Sequence, residues 1–95
     1  MTKKAAYREK LEAQLDEWDA KIDVLKAKAN KAEASAKVEY QETVEDLKKK
    51  RSKAKDKLQK LQNASEDAWE DLQDGLEQAW SELGAAVKAA TSRFK

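Results

Sequence analysis

The sequence predicts an all-α fold made of long amphipathic helices, and three observations predict it. First, 41% of its 95 residues are charged, proline is absent and glycine occurs twice, so hairpin turns and βαβ loops lack their usual residues. Second, large apolar residues recur at steps of three and four along most of the chain, the period of a helix buried on one face. Third, the charge changes sign abruptly. Residues 48–60 carry Lys48, Lys49, Lys50, Arg51, Lys53, Lys55, Lys57 and Lys60 against Asp56, a net of +7. Residues 66–82 carry Glu66, Asp67, Glu70, Asp71, Asp74, Glu77 and Glu82 with no base, a net of −7. Between the blocks lies Asn63-Ala64-Ser65, the best helix-start signal in the chain. These features fit a helical hairpin or coiled coil with a break near residues 62–65. The alternative is a three-helix bundle with a second break near residues 30–36. Residues 1–95 read as a single all-helical coiled-coil domain, with helices over about 3–62 and about 65–93.

The first stripe is Tyr7, Leu11, Leu15, Trp18, Ile22 and Leu25, with Glu9, Glu12, Asp16, Asp19 and Asp23 between. It continues through 27–37 in small residues, Ala29, Ala32 and Ala36. Alanine is the best helix former, so propensity favours an unbroken helix there. Asn30 followed by Glu33 has capping-box spacing, the weak sign of a break. The stripe resumes with Tyr40, Val44, Leu47, Arg51, Ala54, Leu58 and Leu61, and Arg51 is expected to pack its methylenes and extend its head to water. So thin an apolar face requires a partner, because isolated helices are marginal in water. At 63–66, Asn63 with Glu66 fits an N-cap with an acid at N3, and Ser65 serves equally well. Acids then follow at the helix N-terminus and bases precede it at the earlier C-terminus, as the helix dipole favours.

The last helix carries Trp69, Leu72, Leu76, Trp80, Leu83, Val87 and Phe94. Ala68-Trp69-Glu70-Asp71-Leu72 recurs eleven residues on as Ala79-Trp80-Ser81-Glu82-Leu83. Tyr7 to Trp18 and Leu11 to Ile22 keep the same step. That period, 3.67 residues per turn, favours straight or slightly right-handed packing over a left-handed heptad supercoil. Gly75 and Gly84 each weaken the helix by about 1 kcal/mol unless they permit a close approach.

A turn near Asn63 places the two charge blocks side by side, with Lys60 opposite Glu66, Lys57 opposite Trp69 and Lys49 opposite Glu77. Such pairs set antiparallel orientation more than stability. It also leaves Tyr7, Leu11, Leu15, Trp18, Ile22 and Leu25 uncovered, and a stripe of that size does not stay exposed on a monomer. A second chain or partner helix is the expected cover, because 27–37 lacks turn residues. A fold-back of the first helix is the competing solution. The expected partner is therefore another copy or a partner helix, and the stripe residues named above are the expected interface.

The absence of histidine and cysteine removes the usual general base, the thiolate nucleophile and the ordinary zinc site. Phosphate-cradling glycine loops are also missing. No catalytic residue, metal site, cofactor or small-molecule substrate is expected. Nucleic acid is disfavoured, since the basic block holds no aromatic platform and the acidic block neutralises it. A lipid surface is the alternative partner: the last helix combines tryptophans with an eleven-residue period, although its polar face is acidic where surface helices present bases. The first residues, Met1-Thr2-Lys3-Lys4-Ala5-Ala6-Tyr7-Arg8, have no apolar run behind them, so no secretory signal is read and a cytoplasmic location is expected.

The stretch Leu11-Glu12-Ala13-Gln14-Leu15-Asp16-Glu17-Trp18-Asp19-Ala20-Lys21-Ile22-Asp23, the Ala/Lys/Glu middle, the two tryptophan motifs and the end Arg93-Phe94-Lys95 together resemble a group of small bacterial coiled-coil proteins described as apolipoprotein-like and linked to stress. The resemblance covers most of the chain and is most specific at the tryptophan motifs. It implies a bacterial, cytoplasmic, helical protein, and brings no activity and no site residue with it.

Overall fold

The computed structural model describes residues 3–94; Met1, Thr2 and Lys95 lie outside the described residues. Three helices follow one another: α1 (Lys3–Lys31), α2 (Ala34–Gln62) and α3 (Glu66–Arg93). All are long, and the molecule measures 51 × 21 × 18 Å. The architecture is all-α, with the break at 62–65 present and a second break at Ala32–Glu33. The three-helix arrangement is thus the one adopted, and the helix expected over 3–62 is two helices. The physical reason lies in α1. Its stripe is too apolar to stay in water, and folding back buries it on the chain's own α2 and α3, with no second chain required.

The helices run up, down and up, so α1 and α3 are parallel. Contacts between them climb together along both: Lys4 with Ala64, Tyr7 with Trp69, Trp18 with Trp80, Lys28 with Phe94. The core is one cluster. Leu11, Leu15, Trp18, Ile22 and Leu25 enter it from α1, Val44, Leu47, Ala54, Leu58 and Leu61 from α2, and Leu76, Ala79, Trp80, Leu83, Val87, Ala90 and Phe94 from α3's side. A fully buried leucine of this kind contributes about 1.5–3 kcal/mol. No polar or charged residue among those described is fully buried.

The two connections differ in kind. At the second, Asn63 closes α2 as its C-cap: its N–H donates to the Gln59 carbonyl, and the next N–H, of Ala64, donates to that of Leu61. Ser65, not Asn63, is the N-cap of α3, its Oγ accepting from the Ala68 N–H at 3.4 Å. Glu66 and Asp67 occupy the first turn, where the dipole favours acids. The Lys4 Nζ of α1 donates to the Ala64 carbonyl at 2.8 Å, tying the turn to the first helix. The first connection has none of this. Glu33 is extended, with φ −65° and ψ 155°, and makes no side-chain capping bond. No described residue, glycine included, has positive φ.

Candidate functional site

The expected interface stripe forms the interior of the bundle. Of its residues, Leu11, Leu15, Trp18, Ile22, Leu25, Val44, Leu47, Leu58, Leu61, Leu76, Trp80, Leu83, Val87 and Phe94 are buried. Tyr7, Tyr40 and Trp69 are half-buried and pack on its edge. Leu72 departs from the expectation and is 37% exposed.

The seam between α1 and α3 is aromatic. Tyr7 meets Trp69 edge to face with ring centroids 5.5 Å apart, and Trp18 meets Trp80 at 5.5 Å in a tilted arrangement. The spacing explains both rungs. Tyr7 to Trp18 and Trp69 to Trp80 are each eleven residues, so on parallel helices one register aligns both pairs. Aromatic pairs of this geometry are worth about 0.5–1.5 kcal/mol beyond area. The Trp80 Nε1–H donates to Gln14 Oε1 at 2.8 Å, satisfying the indole at the wet side of the seam. Gly84 lies under the Trp18 ring, where a Cβ would come within 2.9 Å of Cζ2. Beside this seam an open groove runs between Tyr7 and Lys88. At its lower end the Tyr7 hydroxyl donates to Glu77 at 3.4 Å. The Tyr7 phenol is held above its usual range, first by burial and then by the Glu77 charge. Gln14 and Asp19 were not marked by any apolar period; only their placement one helical turn from a stripe residue hinted at a role.

Between α1 and α2 a second groove is lined by Asp19, Asp23, Lys26, Lys48, Arg51 and Ser52 over Ile22. Arg51 does not extend to bulk water as expected. Its guanidinium grips Asp19 with two parallel bonds, Nε to Oδ1 and NH2 to Oδ2, the latter at 2.9 Å. This fork is the geometry in which arginine outperforms lysine. The Asp19 hydrogen bond raises the Arg51 pKa against the opposing effect of burial, and the charges of Asp19, Asp16 and Asp23 add to it.

The charge blocks do not pair with one another. Among the described residues the ion pairs are Lys50–Asp46, Arg51–Asp19, Lys60–Asp56 and Arg93–Glu39, and none joins residues 48–60 to residues 66–82. The register is set by apolar contacts instead. Tyr40 stacks on Phe94 at 4.0 Å, and the Lys57 ammonium lies over Gly75, not beside Trp69. Lys48, Lys49, Lys53 and Lys55 therefore face solvent on α2, and Glu66, Asp67, Glu70, Asp71, Asp74, Glu77 and Glu82 face it on α3.

Among the described residues no group of three or more histidine, cysteine, aspartate or glutamate side chains is placed to hold a metal ion. None of the described helices is long and apolar enough to cross a membrane. Comparison with family models, curated proteins and solved structures returns no match.

Proposed function

We propose that this chain is a non-enzymatic helical association protein that binds a second copy of itself or a partner helix, in a structural or stress-related role. One observation carries the reading: two solvent-facing blocks of opposite sign sit on adjacent helices of a molecule whose net charge is +1, and among the described residues no ion pair joins them. A molecule with one basic and one acidic face is complementary to itself. The basic face of α2 on one copy meets the acidic face of α3 on another, and such complementarity raises encounter rates and fixes orientation. Its strength falls once the Debye length shrinks to a few ångströms.

The test is sedimentation equilibrium at low and high salt. Association appears as a mass above 10.8 kDa at low ionic strength that returns toward the monomer near ~0.5 M salt. A 10.8 kDa monomer at every concentration and salt overturns it.

Lipid-surface binding is the second reading, and the uncapped joint at Glu33 favours it. Opening there would turn the stripe containing Trp18 and the facing Trp80 outward together. Trp fluorescence with flotation on neutral vesicles reads it directly; no blue shift and no co-flotation removes it.

A further inference from the structure

The two ends of the bundle are built to different standards, and the difference carries a consequence. The α2–α3 turn has a side-chain N-cap, acids in the first turn and a lysine from α1 on its carbonyl. The α1–α2 joint is two residues, Ala32 and Glu33, inside the run Ala27-Lys28-Ala29-Asn30-Lys31-Ala32-Glu33-Ala34-Ser35-Ala36-Lys37. That run holds no glycine or proline and is rich in the best helix former. Only the extended backbone of Glu33, ψ 155°, and its neighbour stand between two helices and one. Moving that ψ to about −42° continues α1 into α2. The change also gives intrahelical partners to N–H and C=O groups that a helix break leaves open.

Straightening alone is unfavourable, because it strips Leu11, Trp18 and Ile22 from the core. A second copy opened in the same way removes that cost. Since α1 and α2 are antiparallel, a two-fold axis at 32–33 lays each α1 on the other chain's α2 and α3. Every contact of the closed bundle is remade: Asp19 with Arg51, Gln14 with Trp80, Trp18 on Gly84. The stripe at the crossing is Ala29, Ala32 and Ala36, small enough for the two long helices to pass closely.

We infer that this chain exchanges α1 with a second copy of itself by straightening at Ala32–Glu33. The exchange rests on the reading that the chain associates with its own copies and adds a contact distinct from the charged faces, which stay outward in the exchanged dimer. It is a domain swap, in which identical elements trade places at the expense of the hinge alone.

Ala34→Pro tests it. Ala34 is the first residue of α2, where proline is well tolerated, and the residue before it already has the extended backbone that a following proline requires. In a continuous helix the same proline is interior and strongly disfavoured. Wild-type and variant are compared by sedimentation equilibrium and small-angle scattering, after incubation at high concentration near the melting temperature so that α1 can detach. The exchanged dimer contains a helix over 3–62 about 90 Å long at 1.5 Å per residue, against 51 Å for the closed bundle. The expected result is a wild-type dimer of about that length and, in Ala34→Pro, an association constant lower by at least about a hundredfold with unchanged monomer helicity. Glu33→Ala should shift the balance the other way. A dimer that stays short and ignores Ala34→Pro overturns the exchange while leaving the charged-face association standing. A monomer under all conditions overturns both.

Discussion

The indole of Trp18 rests on the bare backbone of Gly84, with room for no Cβ: one built there would lie 2.9 Å from Cζ2 and 3.3 Å from Cη2. Trp18 cannot retreat, because Trp80 holds its ring at 5.5 Å. Gly84→Ala therefore sets about 1 kcal/mol of helix propensity against about 1–3 kcal/mol of overpacking, and a net loss near 1 kcal/mol is expected. Gly75→Ala is the control. Its Cβ would meet only the Lys57 ammonium at 3.3 Å, the far end of a flexible side chain, so a gain of up to about 1 kcal/mol is expected. Urea unfolding of the two variants checks the contrast. If both stabilise the protein, Trp18 does not sit where described.

Arg51 and Asp19 are each about a third exposed, 32% and 29%, and joined by two bonds. Replacing Arg51 by Met keeps the packed stem but leaves Asp16, Asp19 and Asp23 without their cation. A loss of about 1.5 kcal/mol is expected, in the range of hydrogen bonds to charged groups. Arg51→Lys should recover only part of it, since the ammonium lacks the planar fork. The raised Arg51 pKa keeps its contribution intact below the unfolded value and loses it only as pH rises through the folded one, in the strongly alkaline range. Equal unfolding midpoints for wild-type and Arg51→Met would remove the pair from the account.

These variants test features of unequal legibility. The apolar period located the core, down to Leu11, Leu47, Leu76 and Val87, because burial of one helical face is a local pattern. The break at Ala32–Glu33 left only the Asn30/Glu33 spacing, and Glu33 stands at the N-cap of α2 with no side-chain capping bond. Its residues favour helix, and what overrides them is the docking of Trp18 and Tyr7 on α3, some sixty residues away in the chain, which no local propensity records. The charge switch showed where the second turn lies but not how the blocks are used. Exposed ion pairs are too weak to choose a register against leucine packing, so Lys57 falls on Gly75 and the blocks face outward. Leu72 lies on the period yet is partly exposed, while the indole Nε1 of its neighbour Trp69 is buried with no hydrogen-bond partner. The alternation of eleven-residue and heptad steps near that end leaves the stripe between two faces. Ser65 and Asn63 were equivalent as caps on paper; the Ala68 N–H selects Ser65.

Ser65 supplies the cap that Glu33 does not, so the two joints should respond differently to alanine. Ser65→Ala is expected to cost about 1 kcal/mol. Glu33→Ala, which removes no capping bond, should leave the monomer's stability within about 0.5 kcal/mol. A loss at Glu33 as large as that at Ser65 would mean the first joint is capped after all.

Tyr7 provides a pH signature of the α1–α3 seam. Burial first, and the Glu77 charge second, raise its pKa above the ordinary 10.0. Folding therefore favours the neutral phenol. The associated stability is fully present below pH 10.0 and is lost as pH rises through the higher folded value. With Tyr40→Phe the phenolate absorbance reports Tyr7 alone, since the chain has two tyrosines. Its midpoint should lie above that of the urea-unfolded chain and fall when Glu77→Gln is added. A folded midpoint at or below the unfolded one contradicts the contact.

The outward-facing charge blocks separate folding from association. Lys49 and Lys53 are exposed and have no ion-pair partner in the bundle, so Lys49→Glu with Lys53→Glu should change monomer stability by no more than about 0.5 kcal/mol per site. The same change cuts the basic block from +7 to +3 and should weaken association through these faces at low salt. Glu70→Lys with Asp74→Lys cuts the acidic block from −7 to −3 and should do likewise. Mixed in equal amounts, the two variants again offer one another an intact −7 face and an intact +7 face. Each alone is expected to associate more weakly than the wild-type at low salt, and the mixture to regain a heterodimer that salt dissociates. The restored heterodimer is the decisive outcome, because a substitution that merely damaged the fold would not be repaired by its partner. A mixture that stays monomeric at low salt, while the wild-type associates, excludes the charged faces as the contact.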